Sequence, residues 1–233
     1  MKTKRIAIII PAYNEASVIG SVIAALPHQR GMADIDVVVV NDGSSDDTAA
    51  IAQQAGCKVI SHPTNFGCGA AITTGLEYAR QQNYDYAVTM DADGQHKPDD
   101  CVAIIDAIMQ GNHDFILGSR LVDPAGMPWY RVVGNKGFNL ITWLLFHVKV
   151  TDSQSGLRAF SKQALRVVQL RSTGMEFSTE ILWQINRAGL RIGEVPIEAI
   201  YTEYSLAKGQ KNSNAYNILV KLVQYRVGSL MDA

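Results

Sequence analysis

The sequence predicts an α/β fold in which a mostly parallel, Rossmann-like sheet is covered by helices on both faces. Two observations indicate this fold. Short apolar, β-branched segments alternate with segments of helical periodicity, and clusters of polar residues stand where the apolar segments end. Nearly continuous apolar strands are typical of parallel sheets buried on both faces. With 233 residues, 47% of them hydrophobic and 18% charged, the chain has the size and composition of one globular domain.

The order of the elements follows the alternation of these patterns. In the first half, strands are predicted at 5–10, 35–40, 58–61, 86–90 and 115–118, and helices at 16–26, 48–55, 69–82 and 98–109. The second half is less regular, with helices predicted at 130–146, 163–169, 178–188 and 214–227 and strands at 157–161 and 191–196. Neither a repeat nor a low-complexity linker separates the halves, so we predict a single domain over 1–233.

Composition excludes several classes of protein. The formal charge of −1 and the pI of about 6.5 argue against the broad basic surface of a nucleic-acid-binding protein. The three cysteines have no CxxC spacing, so we expect neither a disulfide framework nor a thiolate zinc site, and a reducing cytosol fits best. The basic, then apolar N-terminus is too short in its apolar part for a secretory signal. No segment approaches the roughly 20 apolar residues of a membrane-spanning helix.

A pair of carboxylates follows the predicted strand at 86–90, in the sequence Asp91-Ala92-Asp93-Gly94-Gln95-His96. Two hard oxygen ligands at this spacing suit Mg²⁺ or Mn²⁺, with waters and substrate phosphates completing the shell. An Asp-Gly turn held by Asx hydrogen bonds explains the same residues. His96 is expected to be a hydrogen-bonding partner rather than a metal ligand. The residues alone leave both interpretations open.

Two further polar clusters are predicted to lie at the same edge of the sheet, where ligands bind in open α/β sheets. The segment 41–48 combines a strand end with a helix cap, but capping does not use Asp42, which is a good acceptor for a ribose or a base. The segment 65–71 opens a helix with Gly67 and Gly69, as a backbone cradle for phosphate would. Close packing of the helix explains those glycines almost equally well.

Six motifs together resemble those of family 2 glycosyltransferases, particularly the dolichol- and polyprenol-phosphate mannosyl- and glucosyltransferases. They are PAYNE at 11–15, NDGSSDDT at 41–48, NFG at 65–67, DADGQH at 91–96, GSR at 118–120 and SGLR at 155–158. The resemblance covers about residues 6–203. It implies a GT-A nucleotide-diphospho-sugar transferase fold and an inverting, Mg²⁺- or Mn²⁺-dependent transfer from a GDP- or UDP-sugar to a polyprenyl phosphate.

The resemblance also implies roles for individual residues. The residues implied in nucleotide binding are Pro11, Tyr13, Glu15, Asp42, Gly67, Asp91 and Lys208, and those implied in metal binding are Asp91, Asp93 and Gln95. The residues implied in acceptor binding are Arg120, Arg131, Ser155 and Arg158, and those implied in catalysis are Asp93, Arg120, Arg131 and Arg158. The sequence departs from the family pattern at Cys68, Asn135 and Leu157. These departures leave the metal ligands intact and bear on the identity of the acceptor.

Two alternative functions remain open. A sugar hydroxyl as acceptor would require a carboxylate base, for which Asp152, Glu176 and Glu180 are candidates, although Glu180 also fits a polar position on an amphipathic helix. The second alternative is a non-catalytic scaffold that binds a nucleotide sugar. The segment 205–211, which contains Lys208, is interpreted either as a mobile basic loop closing over the donor or as a solvated linker.

A lipid acceptor requires contact with a membrane. The segments 129–149 and 216–226 mix aromatic, aliphatic and basic residues, as interfacial helices do, although either could be a core or homodimer helix. We therefore expect a nucleotide-sugar-binding half at 1–120, an acceptor half at 121–204, and a basic loop followed by an amphipathic helix at 205–233. The protein is expected at the cytoplasmic face of a membrane, through a separate anchoring protein or by direct contact.

Overall fold

A computed structural model describes residues 3–124, 127–198, 200, 220, 222 and 224. Within these residues, eight strands form one sheet. The strands are β1 (Lys4–Ala12), β2 (Gln29–Arg30), β3 (Ala33–Asn41), β4 (Lys58–Ser61), β5 (Tyr86–Thr89), β6 (Phe115–Ser119), β7 (Arg158–Ser161) and β8 (Ile192–Pro196). The helices are α1 (Ile19–Ala24), α2 (Thr48–Gln54), α3 (Cys68–Gln81), α4 (Pro98–Met109), α5 (Trp129–Phe146), α6 (Lys162–Val167) and α7 (Phe177–Arg187).

The strand order is β2-β3-β1-β5-β7-β6-β8, with β4 also pairing β3. Strand pairs β1/β3, β1/β5, β3/β4 and β6/β8 are parallel, whereas β2 runs antiparallel to β3 and β7 runs antiparallel to both β5 and β6. The mostly parallel sheet predicted from the sequence is therefore confirmed. The reversed direction of β7 places its first residue, Arg158, beside Thr89, the last residue of β5.

The alternation of side chains along each strand divides the core between the two faces of the sheet. In β1, Ile6, Ile8 and Ile10 pack on one face, while Ala7 and Ile9 pack on the other. The first face carries apolar residues of α1, α2 and α4. The second face carries those of α3, α5, α6 and α7. Helices therefore cover both faces, as strands that are apolar on both sides require.

Two of the differences from the sequence prediction have a local structural cause. The first helix spans Ile19–Ala24 rather than 16–26, because the chain first makes a turn in which the N–H groups of Val18 and Ile19 donate to the carbonyl of Glu15. The short strand β2 was not predicted, since two exposed residues carry no periodicity. Its antiparallel pairing with β3 begins that strand at Ala33.

The C-terminal predictions fall largely outside the described residues. The segment 205–211, including Lys208, lies outside them. Of the predicted helix at 214–227, Val220, Leu222 and Gln224 are described; all three are helical, and Leu222 is buried in the core. No helix in the described part of the chain is long and apolar enough to cross a membrane.

Candidate active site

The carboxylate pair lies in the turn that follows β5, at the carboxyl end of the strand. The backbone N–H of Gln95 donates to Asp93 Oδ1 at 3.0 Å, and Gly94 adopts a positive φ of 74°, so the Asx turn predicted as one alternative is present. His96 is buried, and its Nε2 lies 3.4 Å from Asp91 Oδ2. His96 therefore contacts the pair as a hydrogen-bonding partner.

The pKa values of the two carboxyl groups are shifted in opposite directions. Burial and the negative charge of Asp91 raise the pKa of Asp93 to about 6, against the hydrogen bond from Gln95. Burial also acts to raise the pKa of Asp91, but the hydrogen bond and charge of His96 and the charge of Arg158 outweigh it and leave that pKa below its usual value. The charged form of Asp93 is therefore disfavoured in its buried position beside Asp91, and a bound cation would favour it.

Arg158 is the most unusual side chain near this pair. It is 1% exposed, donates from Nη2 to Ser178 Oγ at 2.8 Å, and lies with its guanidinium carbon 5.0 Å from the centroid of the Phe177 ring. Its Nε and Nη1 are buried and find no hydrogen-bond partner among the described residues, nor does the buried hydroxyl of Ser155. Buried polar groups are normally hydrogen-bonded, so these atoms are available to bind a ligand.

Burial lowers the pKa of Arg158 to about 10, with the negative charge of Asp91 acting in the opposite direction. The guanidinium therefore stays charged at neutral pH. Two of its donors have no acceptor in the described part of the chain. A buried positive charge of this kind is suited to bind an anion.

The backbone at Gly156 lies against the carboxylate of Asp91, which explains the glycine in the motif at 155–158. The hydroxyl of Thr89 donates to the Gly156 carbonyl at 2.9 Å, which holds this backbone against the end of β5. A Cβ on Gly156 would overlap the carboxylate of Asp91. The glycine therefore leaves the space that this carboxylate occupies.

Arg120 follows β6 and is held by a buried carboxylate. Asp152, with no exposed surface, accepts from Arg120 Nε at 2.7 Å, from Nη2 at 2.8 Å and from the backbone N–H at 3.0 Å. Such a bidentate pair fixes the orientation of the guanidinium. Arg131 is half-buried in the first turn of α5, and its contribution to the site stays a prediction.

The remaining base candidates are also engaged within the protein. Glu180 is 1% exposed and accepts from the backbone N–H groups of Arg171 and Ser172, both at 2.9 Å, and from Gln184 Nε2 at 3.1 Å. Glu180 is a polar residue of the amphipathic helix α7, as one of the two predictions had it, and its buried carboxylate anchors the loop at 171–172. Glu176 accepts from the N–H of Gly174 at 3.3 Å. Asp152, as described above, holds Arg120.

Directly after β3, Asp42 organises the loop at 65–67. Its Oδ1 accepts from the N–H of Phe66 at 3.0 Å and lies 2.7 Å from His62 Nδ1, and its Oδ2 accepts from Gly67 at 2.9 Å. His62 in turn contacts Thr74 Oγ1 at 2.9 Å. Sequence reasoning missed His62, because nothing in its local pattern links it to Asp42.

The glycines at the start of α3 accommodate another loop. Gly69 donates its N–H to the carbonyl of Thr173 at 2.8 Å, and a Cβ on Gly67 or Gly69 would overlap the backbone at 172–174. Close packing, one of the two predicted explanations, thus accounts for both residues. A role for Gly67 in nucleotide binding stays a prediction, as it does for Pro11 in β1, the half-exposed Tyr13 and the buried Glu15.

No group of three or more His, Cys, Asp or Glu side chains forms a metal site within the described residues. Any cation at Asp91 and Asp93 would need oxygen ligands from elsewhere, such as the amide of Gln95 or a bound phosphate. The site as a whole joins hard oxygen ligands to a buried arginine at the carboxyl edge of the sheet. It is the kind of site that handles an anionic substrate together with a cation.

The architecture defines the class of fold, which is the GT-A fold. The chain superposes on glucosyl-3-phosphoglycerate synthase from Mycobacterium tuberculosis, solved in complex with Mn²⁺ and UDP-glucose, with a TM-score of 0.73. That match covers 97% of this chain and 79% of the other at 21% identity, which establishes the shared fold.

Sequence similarity identifies the family. Residues 7–168 match the model of glycosyl transferase family 2, and the chain belongs to this family. It is 41% identical to the UDP-N-acetylglucosamine–dolichyl-phosphate N-acetylglucosaminyltransferase of Methanococcus voltae over the full length of both chains. It is 30% identical to the polyprenol monophosphomannose synthase of Mycolicibacterium smegmatis, over 99% of this chain and 90% of that one. The protein is a glycosyltransferase, as the motifs predicted.

Proposed function

We propose that this glycosyltransferase transfers a sugar from a nucleotide diphosphate sugar to a polyprenyl phosphate, with inversion at the anomeric carbon. The observation that carries the proposal is Arg158: a buried, charged guanidinium beside Asp91, with Nε and Nη1 left without a partner in the described chain. Phosphate oxygens are strong acceptors for such charged donors.

The acceptor side of the site favours a phosphate over a sugar hydroxyl. A hydroxyl must lose its proton to a base as it attacks, but Asp152, Glu176 and Glu180 each accept hydrogen bonds from the protein itself. A phosphate is already an anion near neutral pH. It needs only positioning by Arg158, Arg120 and the buried hydroxyl of Ser155.

The donor side favours a divalent cation, Mg²⁺ or Mn²⁺. Asp91, Asp93 and the amide of Gln95 offer the hard oxygen ligands that these ions prefer. Burial and the negative charge of Asp91 raise the pKa of Asp93, and a bound cation would favour its charged form. The ion would neutralise the negative charge that develops on the departing nucleoside diphosphate. The acceptor oxygen forms its bond to the anomeric carbon as the bond to the diphosphate breaks.

The relatives guide the choice of donor and lipid. The relative from Methanococcus voltae is named for UDP-N-acetylglucosamine and dolichyl phosphate and aligns over the whole chain at 41% identity, whereas the relative named for mannose transfer is 30% identical. We therefore favour a UDP-sugar, and UDP-N-acetylglucosamine first, over a GDP-sugar.

The test is transfer of radiolabelled sugar from UDP-N-acetylglucosamine, UDP-glucose or GDP-mannose to detergent-dispersed polyprenyl phosphate. Parallel reactions contain Mn²⁺, Mg²⁺ or a chelator. Asp93→Ala removes a predicted metal ligand, and Asp99→Ala is the matched control, since Asp99 is an exposed carboxylate in the first turn of α4.

We expect a metal-dependent product that extracts into organic solvent, is lost in Asp93→Ala and is retained in Asp99→Ala. A product that forms equally well with chelator would refute the proposed metal dependence. Transfer to a saccharide in place of every lipid phosphate would refute the proposed acceptor.

A further inference from the structure

The helix α5 (Trp129–Phe146) is apolar on two opposite sides. Its inner side packs on the core through Phe138, Ile141, Leu145 and Phe146. Its outer side also carries large apolar residues, and these are exposed: Trp129, Tyr130, Val133, Leu140, Trp143 and Leu144. Trp129 is 77% exposed and Leu144 is 58% exposed. Positions 129, 133, 136, 140 and 143 recur at helical spacing, so the exposed residues form one stripe.

We propose that this stripe, with the basic residues around it, is a docking surface for an anionic lipid bilayer. Exposed apolar surface of this extent on a helix marks an interaction site. The positive charge around the stripe identifies the partner. Residues 127–151 include the basic residues Arg131, Lys136 and Lys149 but no Asp or Glu. Aromatic and aliphatic side chains flanked only by basic ones are what an interfacial helix presents to anionic headgroups.

The exposed Lys136 lies within the stripe and is compatible with this use. A lysine at a membrane interface lays its methylene stem along the apolar surface and keeps its ammonium among the headgroups. An interface with a second copy of the chain or with another protein would bury this charge and would favour an acidic partner residue.

The position of α5 connects the stripe to the active site. On the inner side of the helix, Asn139 donates from Nδ2 to the carbonyl of Thr151 at 2.5 Å and accepts from the N–H of Ser153 at 2.8 Å. Between these two residues lies Asp152, which orients Arg120. The docking surface and the acceptor side are thus separated by about the diameter of one helix, roughly 10 Å.

This inference rests on the proposed function only in explaining why docking is useful: a lipid phosphate stays in the bilayer while its headgroup reaches Arg120 and Arg158. Binding itself is measured without any reaction. The assay is co-sedimentation with vesicles of phosphatidylglycerol and phosphatidylcholine, and with vesicles of phosphatidylcholine alone, at low and high salt.

Two variants remove the two parts of the surface. W129Q/L140Q/L144Q replaces exposed apolar side chains by a helix-forming polar one, and K136Q/K149Q removes two charges. The matched controls are Met32→Gln, an exposed apolar residue in the turn before β3, and Lys58→Gln, an exposed lysine at the start of β4. Met32 precedes the first residue of β3, at the end of the sheet away from the site, and Lys58 lies in β4, which pairs the edge of β3 that faces away from β1 and β5.

We expect salt-sensitive binding to the anionic vesicles. The apolar variant should lower the affinity at least about tenfold, and the charge variant about 25-fold, at about fivefold for each basic residue. Both controls should bind like the unmodified protein. Circular dichroism checks that each variant is folded.

Absence of binding to anionic vesicles, or binding that both variants leave unchanged, would overturn the proposal. So would concentration-dependent dimerisation in light scattering that W129Q/L140Q/L144Q abolishes, because it would assign the stripe to a second copy. Transfer to a short-chain, water-soluble polyprenyl phosphate separates this inference from the proposed function. Docking variants should retain that activity, and its absence in the unmodified protein would refute the proposed function alone.

Discussion

Arg158→Met tests whether this buried arginine is kept for binding rather than for stability. Methionine fills a similar volume without a charge. Burial lowers the pKa of Arg158 to about 10, and a fall of this size corresponds to about 3 kcal/mol of unfavourable free energy for burying the charge at neutral pH. The variant removes this cost. It also loses the hydrogen bond to Ser178, worth about 1 kcal/mol, and the contact with the Phe177 ring, worth about 1 kcal/mol or more.

We therefore expect Arg158→Met to be as stable as the unmodified protein or more stable by about 1 kcal/mol, in line with other replacements of buried charges by apolar residues. For a chain of this length, the melting temperature would be unchanged or would rise by about 2–4 °C. Transfer activity should fall at least about a hundredfold, because the charged donors to the acceptor anion are gone.

The stability difference between Arg158→Met and the unmodified protein should depend on pH in a definite direction. A base whose pKa is lowered in the folded state destabilises that state fully below the folded pKa, and progressively less as the pH rises from the folded to the unfolded pKa. Any stability advantage of Arg158→Met at pH 7 should therefore shrink as the pH rises from about 10.

The assay is thermal unfolding followed by circular dichroism, together with sugar transfer on the same preparations. Arg187→Met is the matched control: Arg187 also contacts a ring, that of Trp183 at 5.2 Å, but is exposed on α7. The control should change stability by less than about 0.5 kcal/mol and leave transfer intact. A fall in melting temperature of more than about 4 °C in Arg158→Met, with activity retained, would refute the reasoning.

Three further results are expected. Gly156→Ala should lower transfer at least about tenfold, since its methyl group would overlap the Asp91 carboxylate, whereas Gly134→Ala, in open space on α5, should stabilise the protein by about 0.5–1 kcal/mol. Mn²⁺ affinity measured by titration calorimetry should fall as the pH drops through about 6, because protonation of Asp93 competes with the ion. Glu180→Gln should destabilise the protein by about 1–3 kcal/mol through its lost backbone contacts yet keep at least about a tenth of the activity; complete loss of activity in a folded variant would restore Glu180 as a base.

Local sequence patterns predict most of the helices and strands and the edge of the sheet at which the site lies. In β1, Ile6 to Ile10 are apolar at every position, which specifies a strand buried on both faces. The turn at Asp91 to His96 is likewise local chemistry, and the predicted Asx bond from Gln95 to Asp93 is present. These features depend on neighbours within a few residues, so they can be read from the chain.

The neighbours and burial of the site's arginines and carboxylates depend on the tertiary structure. Nothing local fixes the direction of β7, yet its antiparallel pairing with β5 is what sets Arg158 beside Thr89 and close to Asp91. The engagement of Glu180 with the loop at 171–172, and of Asp152 with Arg120, likewise joins residues through packing. Burial, pKa and the availability of a carboxylate as a base arise from such long-range contacts, because each depends on which groups the folded chain excludes from water.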